Sequence, residues 1–496
     1  MEGNSCNKNT DTKVVVSRNI EANIQTFRKT YKDCADIKTR EMYLGAHNDK
    51  KCFMAYIEVA LDMKSFGASG IGMLVKNIEA GISPKDARVA DVTEVKDLNQ
   101  ALDVILVGNV LVFVDGCDYA LKIGDKGYPS LGVKETDSEK VIRGSNEGFS
   151  DSIKINTALV RRRIRSQNLK VKETTAGVRS NTTVDIMYMK DIAYPQVVTE
   201  IMKRLAKYEV DGVLDSGVIE QLAEKKWYSP FPEFQTTQRP DRAAMAVLEG
   251  RVVVLCDNSP IALILPTDFN SFLKTTDDYY NRFEAASFAR IIRYVSAFLA
   301  MTLPGLYLAV TNFHTQILPT SLLLSFWEAR IGCPFPEVVE VVLMELSFEL
   351  LREAGIRLPG AMGNTIGIVG GLIIGQAAVD ANLVSPIVVI VVAFTAFCSF
   401  AIPSEEFAFS FRLLKFGFIA LSAWLGYFGF LIGIYAVLVH LSRLESFGIP
   451  YLSPFVAYGE KSTEGLGESV IRKPFRMLKY RPIYARRNQR IRLRGK

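Results

Sequence analysis

Charged residues are scarce in the second half of this 496-residue chain. Three long stretches carry few charges or none: 294–327, 358–411 and 416–439. A soluble domain rarely contains three such stretches. A membrane domain needs them, because a helix requires about 20 apolar residues to cross the hydrocarbon layer of a bilayer. The sequence therefore predicts a membrane protein with a large polar first half.

Cysteine and histidine are also few, and neither occurs in a metal-binding pattern. The seven cysteines are scattered without a C-x-x-C pair, and the three histidines lie far apart in the chain. This spacing argues against a disulfide framework, a zinc site and a histidine-based catalytic set. The glycine-rich string at 67–72 does not match G-x-G-x-x-G, and no P-loop occurs. We therefore expect no metal, no cofactor and no enzymatic activity.

Acidic residues are absent from the last 25 residues, which hold eleven of the 59 basic residues. The net charge of the whole chain is only +6, so the remainder is net acidic and does not suit a nucleic-acid-binding polycation. We interpret 456–496 as a basic cytoplasmic tail held against anionic lipid, with RNA binding as a minor alternative. The candidate lipid contacts are Arg486, Arg487, Arg490, Arg492 and Arg494.

The polar first half alternates between strand-like and helix-like patterns, which is typical of α/β layering. We predict a polar amino-terminal segment at 1–39 with a helix near 19–32, a first α/β subdomain at 40–140 and a second at 141–285. Predicted strands are 53–59, 110–115, 117–123, 183–189, 251–255 and 261–265, and predicted helices are 97–106, 151–165 and 194–208. The predicted fold class is an α/β cytoplasmic region of two subdomains followed by an all-α polytopic membrane domain.

The membrane domain is predicted at 286–455. Its four predicted spans are 290–310, 358–379, 381–403 and 414–440, with a re-entrant segment at 315–327 and an amphipathic helix at 336–355. Arg282, Arg290 and Arg293 flank the start of the first span, which places the first half in the cytoplasm. Four spans return the tail to that side but place Arg412 and Lys415 outside, against the positive-inside rule. Five or six segments therefore remain an alternative.

Three glutamates in the predicted amphipathic helix recur every fourth residue. Glu345, Glu349 and Glu353 share one helical stripe. Carboxylates at membrane depth are costly and usually face water, a partner charge or an ion path. If several copies presented this stripe inward, the resulting ring would attract cations, so these three are candidate ion-pathway residues. The alternative is an interfacial helix with a solvated acidic face, in which Arg352 pairs with Glu345 or Glu349.

Four glycines also recur every fourth residue, within the second predicted span: Gly363, Gly367, Gly371 and Gly375. Such a stripe lets another helix approach closely. It is consistent with ordinary helix packing, with a contact between subunits or with a pore-lining role.

Several strings, taken together and in order, resemble one family. In the second subdomain they are RGSNEGF at 143–149, NTALVRRRI at 156–164, DGVLDSG at 211–217, SPFP at 229–232, QRPDR at 238–242 and LEGR at 248–251. In the membrane half they are Glu345 and Glu349 followed by LREAGIRLP at 351–359, GIVGG at 367–371, GQAAV at 375–379 and SFGIPYLSP at 446–454. The chain resembles the GerA-type spore germination proteins, the A-subunit class of nutrient germinant receptors, over about 141–455.

This resemblance implies an integral protein of the inner membrane of bacterial spores. It implies a transporter-like B subunit, thought to recognise the nutrient, and a lipoprotein C subunit as partners. It further implies a homo-oligomeric ring that passes monovalent cations. A paralogue class similar to stage V sporulation protein AF shares these motifs and amplifies germination without sensing nutrient. A non-conducting scaffold is another alternative. A secondary transporter is less favoured, because the spans show no repeated halves.

Overall fold

The structure is a computed structural model that describes residues 14–44, 50–60, 92–124, 139, 141, 143–357, 371, 375–456 and 469–493. The chain divides into two compact units. The α/β unit comprises Met1–Lys225, Thr236–Pro266 and Lys479–Lys496, and the helical unit comprises Lys226–Gln235 and Thr267–Leu478. The chain thus passes from one unit to the other four times, and the predicted basic tail at 456–496 is shared between them.

The first half of the α/β unit is an antiparallel five-stranded sheet. Its elements are α1 (Ile20–Thr30), β1 (Ile37–Leu44), β2 (Lys50–Ile57), β3 (Val92–Val95), α2 (Leu98–Val104), β4 (Val110–Val114) and β5 (Ala120–Ile123). The strand order is β1-β2-β4-β5-β3. Phe27 on α1 packs on Phe53 of β2 with ring centroids 5.2 Å apart, so α1 covers the sheet and its apolar face builds the core.

This packing corrects the predicted boundary at residue 40. The sequence assigned α1 to a separate polar segment, but Ile20, Ile24 and Phe27 recur at helical spacing and are all buried. Asn19 begins the helix by accepting a hydrogen bond from the backbone N–H of Glu21. The described part of the first 39 residues therefore belongs to the first subdomain.

The second half of the α/β unit has the same strand order. Its elements are α3 (Ile153–Arg163), β6 (Leu169–Ala176), β7 (Thr182–Met189), α4 (Pro195–Leu205), α5 (Ser216–Ala223), β8 (Gln235–Thr237), α6 (Pro240–Glu249), β9 (Val252–Cys256) and β10 (Ala262–Leu265). The order β6-β7-β9-β10-β8 repeats that of the first sheet, one strand for one. The predicted strands at 183–189, 251–255 and 261–265 correspond to β7, β9 and β10, whereas β1, β3, β6 and β8 were not predicted.

The helical unit contains long apolar helices and several short elements. They are α7 (Phe269–Leu273), α8 (Asp277–Tyr280), α9 (Phe283–Phe313), α10 (Thr320–Glu328), α11 (Glu337–Arg357), α12 (Pro386–Phe400), α13 (Glu405–Ser442), β11 (Glu445–Ser446) and β12 (Ile449–Pro450). Two of the described helices, α9 and α13, are long and apolar enough to cross a bilayer. They coincide with the first and fourth predicted spans. The third predicted span corresponds to the shorter α12, and most of the second lies outside the described residues.

Helix α13 is a hairpin rather than one continuous rod. Gly426 has φ 60° and ψ −138°, which interrupts the helix. Phe418 and Phe430 flank this break with ring centroids 5.8 Å apart, although twelve residues of a straight helix would separate them by about 18 Å. Phe411 and His440 both contact the ring of Phe231. The prediction of a single span at 414–440 is therefore wrong: the segment runs out along one arm and returns along another.

Contacts between the helices show which ends lie together. Gly305 of α9 lies against the backbone of Phe418, and Phe313 lies against Gly426, so α9 and the first arm of α13 run in the same direction. Arg412 and Lys415 therefore lie beside the middle of α9. The four-span prediction had put these two residues outside the membrane, at an end of a span, whereas they lie along a long apolar helix.

Two of the four glycines of the predicted stripe lie within the described residues. Gly363 and Gly367 lie outside the described residues. A Cβ added to Gly375 would lie 3.5 Å from Val389 of α12, whereas one added to Gly371 would meet no atom within 4 Å. Gly375 thus lies in ordinary contact with a neighbouring helix.

Candidate functional site

Helix α11 turns part of its acidic stripe towards the first arm of α13. Glu345 is 2% exposed, and its Oε2 accepts a hydrogen bond from Nζ of Lys415 at 2.5 Å. The same ammonium lies 3.4 Å from Oε1 of Glu349. We call Glu345, Glu349 and Lys415 the carboxylate–lysine cluster. A charge is costly in an apolar interior unless it is paired, so this pairing explains why these side chains are tolerated there.

One oxygen of the cluster has no partner among the described residues. Oε1 of Glu345 is buried and accepts no hydrogen bond. The cluster also holds two carboxylates and one ammonium. An incompletely satisfied carboxylate inside an apolar bundle is the kind of feature that marks an ion or proton path.

The other predicted partners of the stripe are arranged differently. Glu353 lies on the exposed side and pairs with Arg357, four residues along the same helix. Arg352 pairs with Glu405 and not with Glu345 or Glu349. The interpretation as a wholly solvated acidic face is therefore wrong, because Glu345 points inward while Glu353 does not.

Lys415 was not predicted as a member of the site. Its only signal was a lysine inside an otherwise apolar run, which the positive-inside rule treated as a topological conflict. A lysine and a glutamate that both occur at membrane depth are candidates to pair with each other. That reasoning would have identified the cluster before the hairpin was known.

Acidic residues near the start of α11 are paired as well. Glu340 is fully buried and accepts a hydrogen bond from the backbone N–H of Ser385 at 2.9 Å. Arg330 contacts both Glu340 and Glu337. Here each carboxylate has a donor, so this group joins α11 to the segment before α12 and has a structural role.

A second candidate site is a cleft between the two sheets of the α/β unit. It is a cavity of about 400 Å³ whose lining includes Asp36, Glu58, Lys154, Asp185 and Asp257. Oδ2 of Asp185 accepts a hydrogen bond from Thr157 at 2.8 Å, but its buried Oδ1 has no partner among the described residues. Burial raises the pKa of Asp185 to about 7. The cleft is thus lined by a buried carboxyl group whose raised pKa makes its charge sensitive to a nearby ligand.

The carboxyl-terminal residues pack on the second sheet of the α/β unit. Arg486 donates from its side chain to the carbonyl oxygens of Ala193 and Lys190. Tyr484 is buried, and the guanidinium of Arg251 lies 4.0 Å from its ring centroid. Arg486 therefore fixes the tail to protein, whereas Arg487 is exposed. These contacts lie between segments far apart in the chain, so no local pattern could have predicted them.

The remaining tail arginines differ among themselves. The backbone of Arg490 accepts a hydrogen bond from Arg481, and that of Arg492 donates to Lys479. Arg494 lies outside the described residues. Contact of this segment with lipid stays a prediction.

Comparisons with known proteins found relatives that match most of the chain. The family model of the Bacillus/Clostridium GerA spore germination protein matches residues 25–484. The chain is 37% identical to spore germination protein KA of Bacillus subtilis, covering 97% of this chain and 89% of that protein. It is 35% identical to the uncharacterized membrane protein YfkQ of the same organism, covering 95% and 93% respectively. A crystal structure of the N-terminal domain of the A subunit of the Bacillus megaterium spore germinant receptor GerK3 covers 52% of this chain and 98% of that chain, at 28% identity and a TM-score of 0.42.

Proposed function

The chain belongs to the Bacillus/Clostridium GerA spore germination protein family, and from this premise we propose that it is the A subunit of a nutrient germinant receptor. In this proposal it acts with a transporter-like B subunit and a lipoprotein C subunit in the inner spore membrane. Several copies form a ring that releases monovalent cations when nutrient is sensed. The alternative is a paralogue resembling stage V sporulation protein AF, or a scaffold, that amplifies germination without sensing nutrient.

A membrane location is supported by the surface of the helical unit. Large apolar side chains are exposed along its helices, among them Trp424, Phe428 and Tyr435 on α13 and Phe397 on α12. The first arm of α13 is about 31 Å long, which matches the hydrocarbon thickness of a bilayer. Contiguous apolar faces of this size are unfavourable in water and suit lipid or a second copy of the chain. One relative also carries the words membrane protein in its name.

The observation that carries the cation-path proposal is the buried, half-satisfied carboxylate of Glu345. Its unpartnered Oε1 lies in an apolar helical bundle, and Glu345 and Glu349 share the single ammonium of Lys415, which favours a further cation there. Glu349, one turn further along α11, is partly exposed and extends the acidic site towards the surface. A ring of such sites selects cations over anions.

The proposal is tested in spores whose only copy of the chain carries Glu345→Gln together with Glu349→Gln. We expect K⁺ release in rich nutrient medium to fall at least about tenfold, since removing both charges removes the cation attraction, worth more than about 1.4 kcal/mol. Glu353→Gln is the matched control, because this glutamate is exposed and pairs only with Arg357. Unchanged K⁺ release from the double variant, with normal amounts of protein in the membrane, would exclude the two glutamates from the path.

The cleft in the α/β unit supports a second candidate function, the binding of a small molecule with a cationic group. A positive charge next to Asp185 would satisfy Oδ1 and favour the ionised carboxylate. The folded-state pKa of Asp185 lies above its value in an unfolded chain. Its stabilising contribution is therefore present at low pH and is lost as the pH rises through about 7.

Thermal unfolding of the full chain from pH 5 to pH 8 tests this candidate. We expect the midpoint to fall as the pH rises, and a panel of primary amines to restore it at pH 8. Asp185→Asn should remove both effects. Amines that stabilise the variant as much as the parent chain would show that they bind elsewhere.

A further inference from the structure

The carboxylate–lysine cluster contains a positive charge that is covalently attached to the chain. Nζ of Lys415 lies within 3.4 Å of both carboxylates, and the side chains of Lys415 and Glu345 are only 5% and 2% exposed. The neighbouring cations point elsewhere: Arg352 pairs with Glu405, and Arg412 also lies next to Glu405. Among the described residues, Lys415 is therefore the cation of this cluster.

An ammonium group and a potassium ion have the same charge and nearly the same radius. Oxygen ligands that accept hydrogen bonds from one are therefore suited to coordinate the other. The cluster also has capacity to spare, since Oε1 of Glu345 has no partner. Its two carboxylates exceed its one ammonium, so a cation that replaced Nζ of Lys415 would meet two acidic groups.

We propose that Glu345 and Glu349 form a binding site for a monovalent cation that Lys415 occupies as a tethered substitute. The inference rests on the proposed function in one respect: it places this site on the cation path. In the described conformation the ammonium fills the position that K⁺ would take, and the site is closed. A mobile cation enters when Nζ of Lys415 moves away from the two carboxylates.

The proposal predicts that removing the tether creates a site for a free cation. In Lys415→Ala, the buried Glu345 and the partly exposed Glu349 lose their counter-charge, which destabilises the chain. K⁺, Rb⁺ and NH₄⁺ should then bind and restore stability, because a ligand that binds only the folded state raises the unfolding temperature. We expect 100 mM of each to raise the thermal midpoint of the detergent-solubilised variant by at least about 3 °C over N-methylglucamine at equal ionic strength. The parent chain should show no such difference.

Two further variants make the test decisive. Glu345→Gln in the Lys415→Ala background should abolish the cation dependence, because it removes the buried carboxylate. Glu349→Gln in that background retains Glu345 but removes the neighbouring carboxylate, and it serves if Lys415→Ala alone does not fold. Absence of any K⁺-specific stabilisation in both Lys415→Ala and Glu349→Gln/Lys415→Ala would overturn the proposal.

The thermal readout also separates this inference from the proposed function. It reports cation binding to the cluster and does not depend on nutrient, partner subunits or conductance. If K⁺ stabilised the Lys415→Ala variants but Glu345→Gln and Glu349→Gln did not change K⁺ release, the cluster would be a cation site that lies off the path. If the glutamate variants reduced K⁺ release but K⁺ did not stabilise the Lys415→Ala variants, the glutamates would stay on the path. Lys415 would then not be a substitute for the mobile cation.

Discussion

Arg161 in the α/β unit and Lys415 in the helical unit are both buried cations, and they differ in how fully their surroundings are satisfied. Arg161 binds both oxygens of Asp36 and also donates to the carbonyl oxygens of Leu169 and Ser166. Lys415 shares one ammonium between two carboxylates and leaves Oε1 of Glu345 without a donor.

The difference shows how a structural ion pair can be told from a functional one. A bidentate pair in which every side-chain nitrogen and both carboxylate oxygens are hydrogen-bonded stabilises one conformation. An unbalanced cluster with an unused acceptor costs stability and keeps an affinity for a further cation. We therefore interpret the pair of Arg161 and Asp36 as architectural, because it joins the two subdomains, and we propose a function for the carboxylate–lysine cluster.

The largest loss of stability is expected when the buried pair of Arg161 and Asp36 is disrupted. Arg161→Met should destabilise the α/β unit by about 3–5 kcal/mol, because it leaves the buried charge of Asp36 without a partner. Hydrogen exchange of β2 and β7 in the full chain measures the loss. Arg162→Met is the control, since Arg162 pairs with Glu147 at a partly exposed site. Equal effects of the two variants would show that burial does not distinguish these pairs.

The next largest loss of stability is expected at the hairpin of α13. Gly426→Ala should cost about 2 kcal/mol or more, because a Cβ at positive φ is strained and would also lie 2.7 Å from Phe313. Gly448→Ala is the matched control: this glycine has φ 82° but no neighbour within 4 Å of its added Cβ. The thermal midpoint of the solubilised chain should fall clearly more for Gly426→Ala. A similar fall in both variants would show that backbone strain, and not the contact with Phe313, accounts for the loss of stability.

The smallest expected effect lies in the tail. Arg486→Ala removes two hydrogen bonds to backbone carbonyls and should cost about 1–2 kcal/mol locally, exposing the last residues to trypsin. Arg487→Ala, at an exposed neighbour, should leave trypsin cleavage of the other tail sites unchanged. Binding of both variants to anionic vesicles tests the predicted contact with lipid. If this segment contacts lipid, Arg487→Ala should bind the vesicles more weakly although its tail stays folded.

Local patterns were sufficient for much of the α/β unit. Strands β7, β9 and β10 and helix α3 were predicted because their apolar residues recur at the period of the element. Strand β1, with the sequence IKTREMYL, was missed because most of its side chains are exposed and polar. The matching strand orders of the two sheets were also missed, because strand order depends on pairing between distant segments.

In the helical unit, composition predicted apolar helices but not their paths. Gly426 was one glycine among many until the structure showed a positive φ beside Phe313. Glu345 was predicted as a site residue from a four-residue spacing. Its partner Lys415 lies 70 positions away, and only the packing of α11 on the first arm of α13 joins them.

The sequence by itself determined that the second half is apolar, that the first half alternates strands and helices, and that an acidic stripe lies on one helix. These properties follow from residues within a few turns or strands of each other. Only the tertiary structure decided that one glutamate of that stripe is buried, that a lysine neutralises it and that the last helix turns back on itself. Such facts depend on long-range packing, where an apolar interior makes each unpaired charge costly and so selects which side chains meet.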